Sequence, residues 1–88
     1  MSPATRLVEK RRRVQLGGRI RRLRQEAGFD SIEAFAHALG YAWITVSRYE
    51  RGMTAISMDR LERIADVLHV PIDRLVENLP ETAGGRVA

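Results

Sequence analysis

An all-α fold follows from the way apolar residues recur along this chain. Leu16, Ile20, Leu23 and Ala27 are separated by steps of four, three and four, the spacing that lines one face of an α-helix. Met58, Leu61, Ile64, Ala65 and Leu68 form a second stripe of the same kind. Between them, the stretch from Ser31 to Gly52 reads as two short helices around a Gly-centred turn. No alternation is long enough to make a strand. These spacings predict five domain helices, with a basic helical arm before them and a short disordered tail after them.

Residues 1–13 read as a basic N-terminal arm or helix. Ser2 can cap it, and Pro3 suits the first helical position. The run Lys10-Arg11-Arg12-Arg13 is followed by Val14, Leu16 and two adjacent glycines, Gly17 and Gly18. Each glycine costs a helix interior about 1 kcal/mol relative to Ala. The pair marks a kink, a break, or a helix surface pressed against a neighbour. The folded domain is placed at residues 14–79. Its first helix carries the Leu16 stripe, with Arg19, Arg21, Arg22 and Gln25 off the stripe, and stops at Gly28. Asp30 or Ser31 caps the second helix, and Asp30 with Glu33 fits a capping box.

In that second helix Phe35, Ala36 and Leu39 share one face, and Gly40 stands where a helix needs a left-handed residue to stop. In the third, Val46 and Tyr49 are three apart, while Trp43, Ile44, Thr45, Ser47 and Arg48 cannot all face the same core. Gly52 closes this helix-turn-helix unit, which spans about residues 31–52. Met53 to Ser57 is a linker whose last residue can cap the fourth helix. Asp59 and Glu62 sit early in that helix, where its dipole favours acidic groups. His69-Val70-Pro71 breaks it, and Pro71 opens a last helix with Ile72, Leu75, Val76 and Leu79 as its apolar face. From Pro80 there is little to bury, so residues 80–88 are expected to form a flexible tail.

Eighty-eight residues allow one domain with one modest core. The chain has no cysteine, which suits a reducing cytoplasm and excludes a thiolate metal site. No apolar run is long enough to cross a membrane, and none follows the N-terminal basic residues as a secretory signal would. A soluble cytoplasmic protein is expected. The net charge of +4 is unevenly placed: residues 1–30 carry +6 and residues 31–88 carry −2. A basic first third points to a polyanion partner or to a solvated Arg-rich helix face. His37 and His69 have no ligand-spaced companion, so no metal is expected. Gly17-Gly18 and Gly84-Gly85 match no phosphate-cradling motif. No residues assemble a nucleophile, base and orienter, so no enzyme, catalytic residue, cofactor or small-molecule ligand is expected.

A two-turn helix that packs on a partner and presents its outer face is the form that enters a DNA major groove. Arg48 is the first base-reading candidate, because its fork of donors matches guanine O6 and N7. Thr45 and Ser47 are short donors that reach a phosphate or a base edge. Trp43 and Ile44 have three readings: contact with a thymine methyl, a protein-facing patch, or, for Trp43, a fold back onto the core. Arg11, Arg12, Arg13 and Arg19 are phosphate candidates, the first three as an arm along the duplex or a basic tail of nonspecific affinity.

Residues 16–75 resemble the helix-turn-helix domain of the Cro/lambda-repressor-like (Xre) family of bacterial and phage regulators. The matching pieces are LGGRIRRLRQEAGF, FAHALGY, VSRYERG and SMDRLERIADVLHVPIDRL, in that order. The resemblance implies a sequence-specific regulator of double-stranded DNA, most simply a repressor associated with the nucleoid. It places Trp43 to Glu50 as the recognition helix, and Ser31, Ile32, Arg51, Met53 and Thr54 beside the phosphate backbone. Arg24 and Glu50 match a structural ion pair that the family uses to tie the first helix to the recognition helix. The chain departs from the pattern at Trp43 and Ile44, where polar residues are frequent. It departs again at Ile32, which stands for a Gln, and at Ala42, which stands for a capping Ser or Thr. One such domain reads few base pairs, so a homodimer is expected, with Val70, Ile72, Leu75, Val76 and Leu79 as the candidate surface. The alternative is a protein-interaction module on the same fold, an antitoxin or coregulator, with Trp43 and Ile44 facing the partner.

Overall fold

The computed structural model describes residues 2–80. Five helices and no strand are present among them: α1 (Pro3–Glu26), α2 (Ile32–Leu39), α3 (Trp43–Glu50), α4 (Met58–Leu68) and α5 (Asp73–Val76). The predicted all-α, five-helix architecture is the one observed. Of the predicted tail only Pro80 is described, and residues 81–88 lie outside the described residues.

Serine caps start three of the helices. Ser2, Ser31 and Ser57 each accept a bond at Oγ from the backbone N–H three residues on, those of Thr5, Ala34 and Arg60. Each satisfies a donor that the first turn would otherwise leave free. Ser31, rather than Asp30, is therefore the cap of α2. Gly40 ends α2 at φ 80°, and the Tyr41 N–H reaches back to the Ala36 carbonyl at 3.0 Å. That hairpin of bonds turns the chain sharply into α3. α4 ends at His69, which takes φ 58° without being glycine.

α1 runs unbroken from Pro3 through both glycines, so the basic segment and the first domain helix are one element. Gly17 is a helix surface pressed against a neighbour. A Cβ there would fall on the Tyr49 carbonyl oxygen and 2.6 Å from the Glu50 carbonyl oxygen. Gly18 faces open space. α3 thus approaches α1 backbone to backbone, which only glycine permits.

The core joins all five helices around Ile20, Phe35, Val46, Ile64 and Leu75. Two predicted stripe members fall outside it. Ala27 is exposed because α1 has already ended, and Met58 is 59% exposed because it opens α4 on the solvent side. The last helix is also shorter than the predicted 71–79. Glu77 is extended and Asn78 takes φ 57°, which stops α5 after one turn. The chain then folds Leu79 back into the core.

Candidate nucleic-acid interface

α3 has an inner and an outer face. Val46, Tyr49 and Glu50 are buried against α1 and α2. Ile44 and Arg48 are exposed on the other side, Trp43 is exposed at the start of the helix, and Thr45 and Ser47 are half-buried at its margins. Trp43 is 55% exposed and Ile44 38%, so Trp43 does not fold back to complete a core.

The inner face is held by polar as well as apolar contacts. Arg24 donates from Nε to Glu50 Oε2 at 2.7 Å and from Nη2 to Oε1 at 3.2 Å. Its Nη1 donates to the Phe29 carbonyl at 2.7 Å. Both partners are buried, so the bidentate pair fixes α1 and α3 in register. No buried side-chain polar atom among the described residues lacks a partner. On the far side, Arg60 of α4 donates to the Tyr49 hydroxyl and stacks over the Tyr41 ring at 4.5 Å.

Two concavities flank the outer face. One is lined by Thr45, Arg48, Tyr49, Met53, Thr54 and Ala55. The other is lined by Arg21, Arg24, Ile32, Ser47, Glu50 and Arg51. The structure therefore brings Thr45, Ser47, Arg48, Arg51, Met53 and Thr54 to the two sides of α3. Ile32 stands at the rim, half-buried, beside the exposed cap Ser31. The first turn of α2 therefore lies at this rim, and a helix start of this kind favours an anion.

Arg21 belongs to this surface and was not among the residues singled out by sequence. It is exposed and lines the same concavity as Ser47 and Arg51. The signal was its place one turn before Arg24, on the side of α1 that meets α3.

Other candidates lie elsewhere. Arg19 donates to the Leu75 carbonyl at 2.9 Å and to that of Glu77, and Arg12 donates to the Pro80 carbonyl at 3.1 Å. The Leu75 carbonyl is in the last turn of α5 and those of Glu77 and Pro80 come after it, with no further helical turn to satisfy them. Both arginines serve to strap the C-terminal segment onto α1. Arg13 donates to the Gly52 carbonyl at 3.4 Å and so braces the loop after α3. Arg11 is exposed and lines a separate concavity with Leu7, Val14 and Pro80. Among the dimer candidates, Leu75 is 0% exposed and Leu79 8%, because both fill the monomer core. Those two are removed from the candidate surface, while Val70, Ile72 and Val76 remain half-buried.

Comparison with known proteins agrees with this geometry. A family model described as a helix-turn-helix domain matches residues 15–79. A protein of Sinorhizobium medicae (strain WSM419), named an uncharacterized HTH-type transcriptional regulator, is 32% identical over 72 residues. The match covers 82% of this chain and 51% of that protein. A protein of the same description from Rhizobium meliloti (strain 1021) matches to the same extent. A Rhodospirillum rubrum protein, named an uncharacterized transcriptional regulator in the ATPase CF(0) region, is 38% identical over 64 residues. That match covers 73% of this chain and 58% of the relative. The chain thus spans about half the length of the curated relatives it matches. No solved structure matches it. With a family model matching from Gln15, midway along α1, to Leu79 and its two-helix unit turned at Gly40, the chain belongs to the helix-turn-helix domain family.

Proposed function

We propose that this chain binds double-stranded DNA in a sequence-specific way and regulates transcription, with α3 in the major groove. The observation that carries the reading is the division of α3. Its inner face is locked to α1 and α2, its outer face presents Ile44 and Arg48, and Trp43 and Ser47 border that face at the helix start and margin. Arg48 reads a guanine, while Thr45 and Ser47 contact a base edge or phosphate. Ser31, Ile32, Arg21, Arg51, Met53 and Thr54 border the phosphates on either side. The names of the relatives, all transcriptional regulators, favour the same reading.

The protein acts as a homodimer through the exposed parts of Val70, Ile72 and Val76, and two copies read a near-palindrome. Occupancy of such a site gives repression as its simplest output. A second reading rests on the exposure of Trp43 and Ile44: an antitoxin or coregulator role in which this patch binds a protein.

Selection of sites from a random duplex pool, at two salt concentrations and with Arg48→Ala alongside, tests the proposal. The expected result is a two-fold symmetric site with half-sites about one helical turn apart. Arg48→Ala relaxes one base position, at about 1–3 kcal/mol of discrimination. Strongly salt-dependent binding without enrichment would reduce the protein to a phosphate binder. No binding at low salt would overturn the DNA reading.

A further inference from the structure

We propose that the leading edge of α3, Trp43 and Ile44, reads the C5-methyl group of thymine in the major groove. The inference rests on the DNA-binding reading above and names the chemistry recognised at its least conventional position. Ala42, Trp43 and Ile44 are consecutive, apolar and exposed where α3 begins. Ala42 makes no side-chain cap bond, so the cap position of this helix offers no side-chain acceptor. Single exposed apolar residues are ordinary on a protein surface. Two together at the entrance of a helix whose outer face is otherwise polar are not explained by that rule.

Their direction follows from helix geometry. Trp43 lies one turn before Ser47, and Ile44 one turn before Arg48. Ile44 and Arg48 lie on the face opposite Val46, Tyr49 and Glu50, while Trp43, exposed at the helix start, and Ser47 border that face on the Glu50 side. A helix that sets Arg48 against a base edge therefore carries Ile44 along the same groove floor. The edges of base pairs in the major groove are donors and acceptors, with one apolar exception, the thymine methyl. An Ile side chain has no other feature there to recognise. The indole of Trp43 adds a broad apolar surface beside it.

The surroundings favour DNA over a protein as the occupant. The patch is continuous with Ser47 and Arg48, and the neighbouring concavity holds the exposed Arg21 and Arg51. A protein docking on Trp43 would have to cover this cationic rim, whereas a phosphate backbone complements it.

The test uses the duplex enriched by the full chain and replaces its thymines by uracil, one at a time. Only a methyl group is lost at each position, and the hydrogen-bonding pattern stays the same. Binding is expected to weaken about threefold to fivefold at one or two positions per half-site, the value of one buried methylene-sized group. The Ile44→Ala and Trp43→Ala proteins, altered only at exposed positions, should bind thymine and uracil duplexes alike at those positions. Equal binding of wild type to every uracil duplex would overturn the inference while leaving the DNA reading intact. Retained methyl sensitivity in both variants would also overturn it, since another residue would then be the reader. If wild type enriches no duplex at low salt, both the DNA reading and this inference fail. A partner protein that needs Trp43, found together with methyl-insensitive DNA binding, would assign the patch to the antitoxin or coregulator role.

Discussion

The two faces of α3 share eight residues of one helix and do opposite things. The inner face is over-determined. Val46 and Tyr49 are 1% and 5% exposed, Glu50 is held bidentately by Arg24, and its backbone meets Gly17 with no room for a methyl group. The outer face touches little protein. Trp43, Ile44 and Arg48 are exposed, and the flanking loop is braced from behind by Arg13. The difference teaches how a domain of this size varies what it recognises without refolding. Residues that fix the helix axis are separate from residues that face outward, so the second set changes freely.

The largest expected effect breaks the inner face. Glu50→Ala leaves the Arg24 guanidinium buried without its carboxylate. Stranding one member of such a pair costs about 3–5 kcal/mol, a large share of the stability of a small domain. Denaturant unfolding followed by circular dichroism should show the midpoint falling accordingly. A loss below 1 kcal/mol would mean that the pair is solvated and that α3 is held by other contacts.

A smaller effect sharpens the comparison at two adjacent glycines. Gly17→Ala forces α1 and α3 apart and should cost about 1–3 kcal/mol, as overpacking does. Gly18→Ala has open space and should instead gain about 0.5–1 kcal/mol from helix propensity. Opposite signs at neighbouring positions, read in the same unfolding experiment, would confirm the close approach of the two backbones. Equal signs would contradict it.

This contrast also explains what could be read in the sequence. Helix caps, the α2–α3 turn and the inner stripe were legible because they are local. Three serines announced their caps, and Gly40 announced the turn. Ile20, Phe35 and Ile64 declared the core through their spacing. Gly17 and Gly18 are chemically identical in the sequence, and only the position of α3 tells them apart. The partners of Arg13, Arg19 and Arg12 lie 39, 56 and 68 residues away, at carbonyls left free by the loop after α3 and by the end of α5. A run of arginines therefore looked like one basic arm, when three of its neighbours and members brace the fold. Leu75 and Leu79 looked available to a second copy because a short last helix gave no sign that the chain after it folds inward. Arg21 was missed because it stands off the apolar stripe, and no local pattern reports what lies across from it.

The smallest expected effect on stability belongs to the outer face, and it tests the central claim most directly. A protein carrying Trp43→Gln, Ile44→Gln, Ser47→Ala and Arg48→Ala together should be compared with wild type by thermal unfolding and by site selection from the random pool. Three of these positions are exposed and Ser47 is half-buried, and substitutions away from structural contacts change stability by about 0.5 kcal/mol or less each. The account predicts an intact helical domain of near wild-type stability that no longer enriches the wild-type site. A well-folded variant that still selects the same site would contradict it, because the sequence would then be read by some part of the molecule other than the outer face of α3.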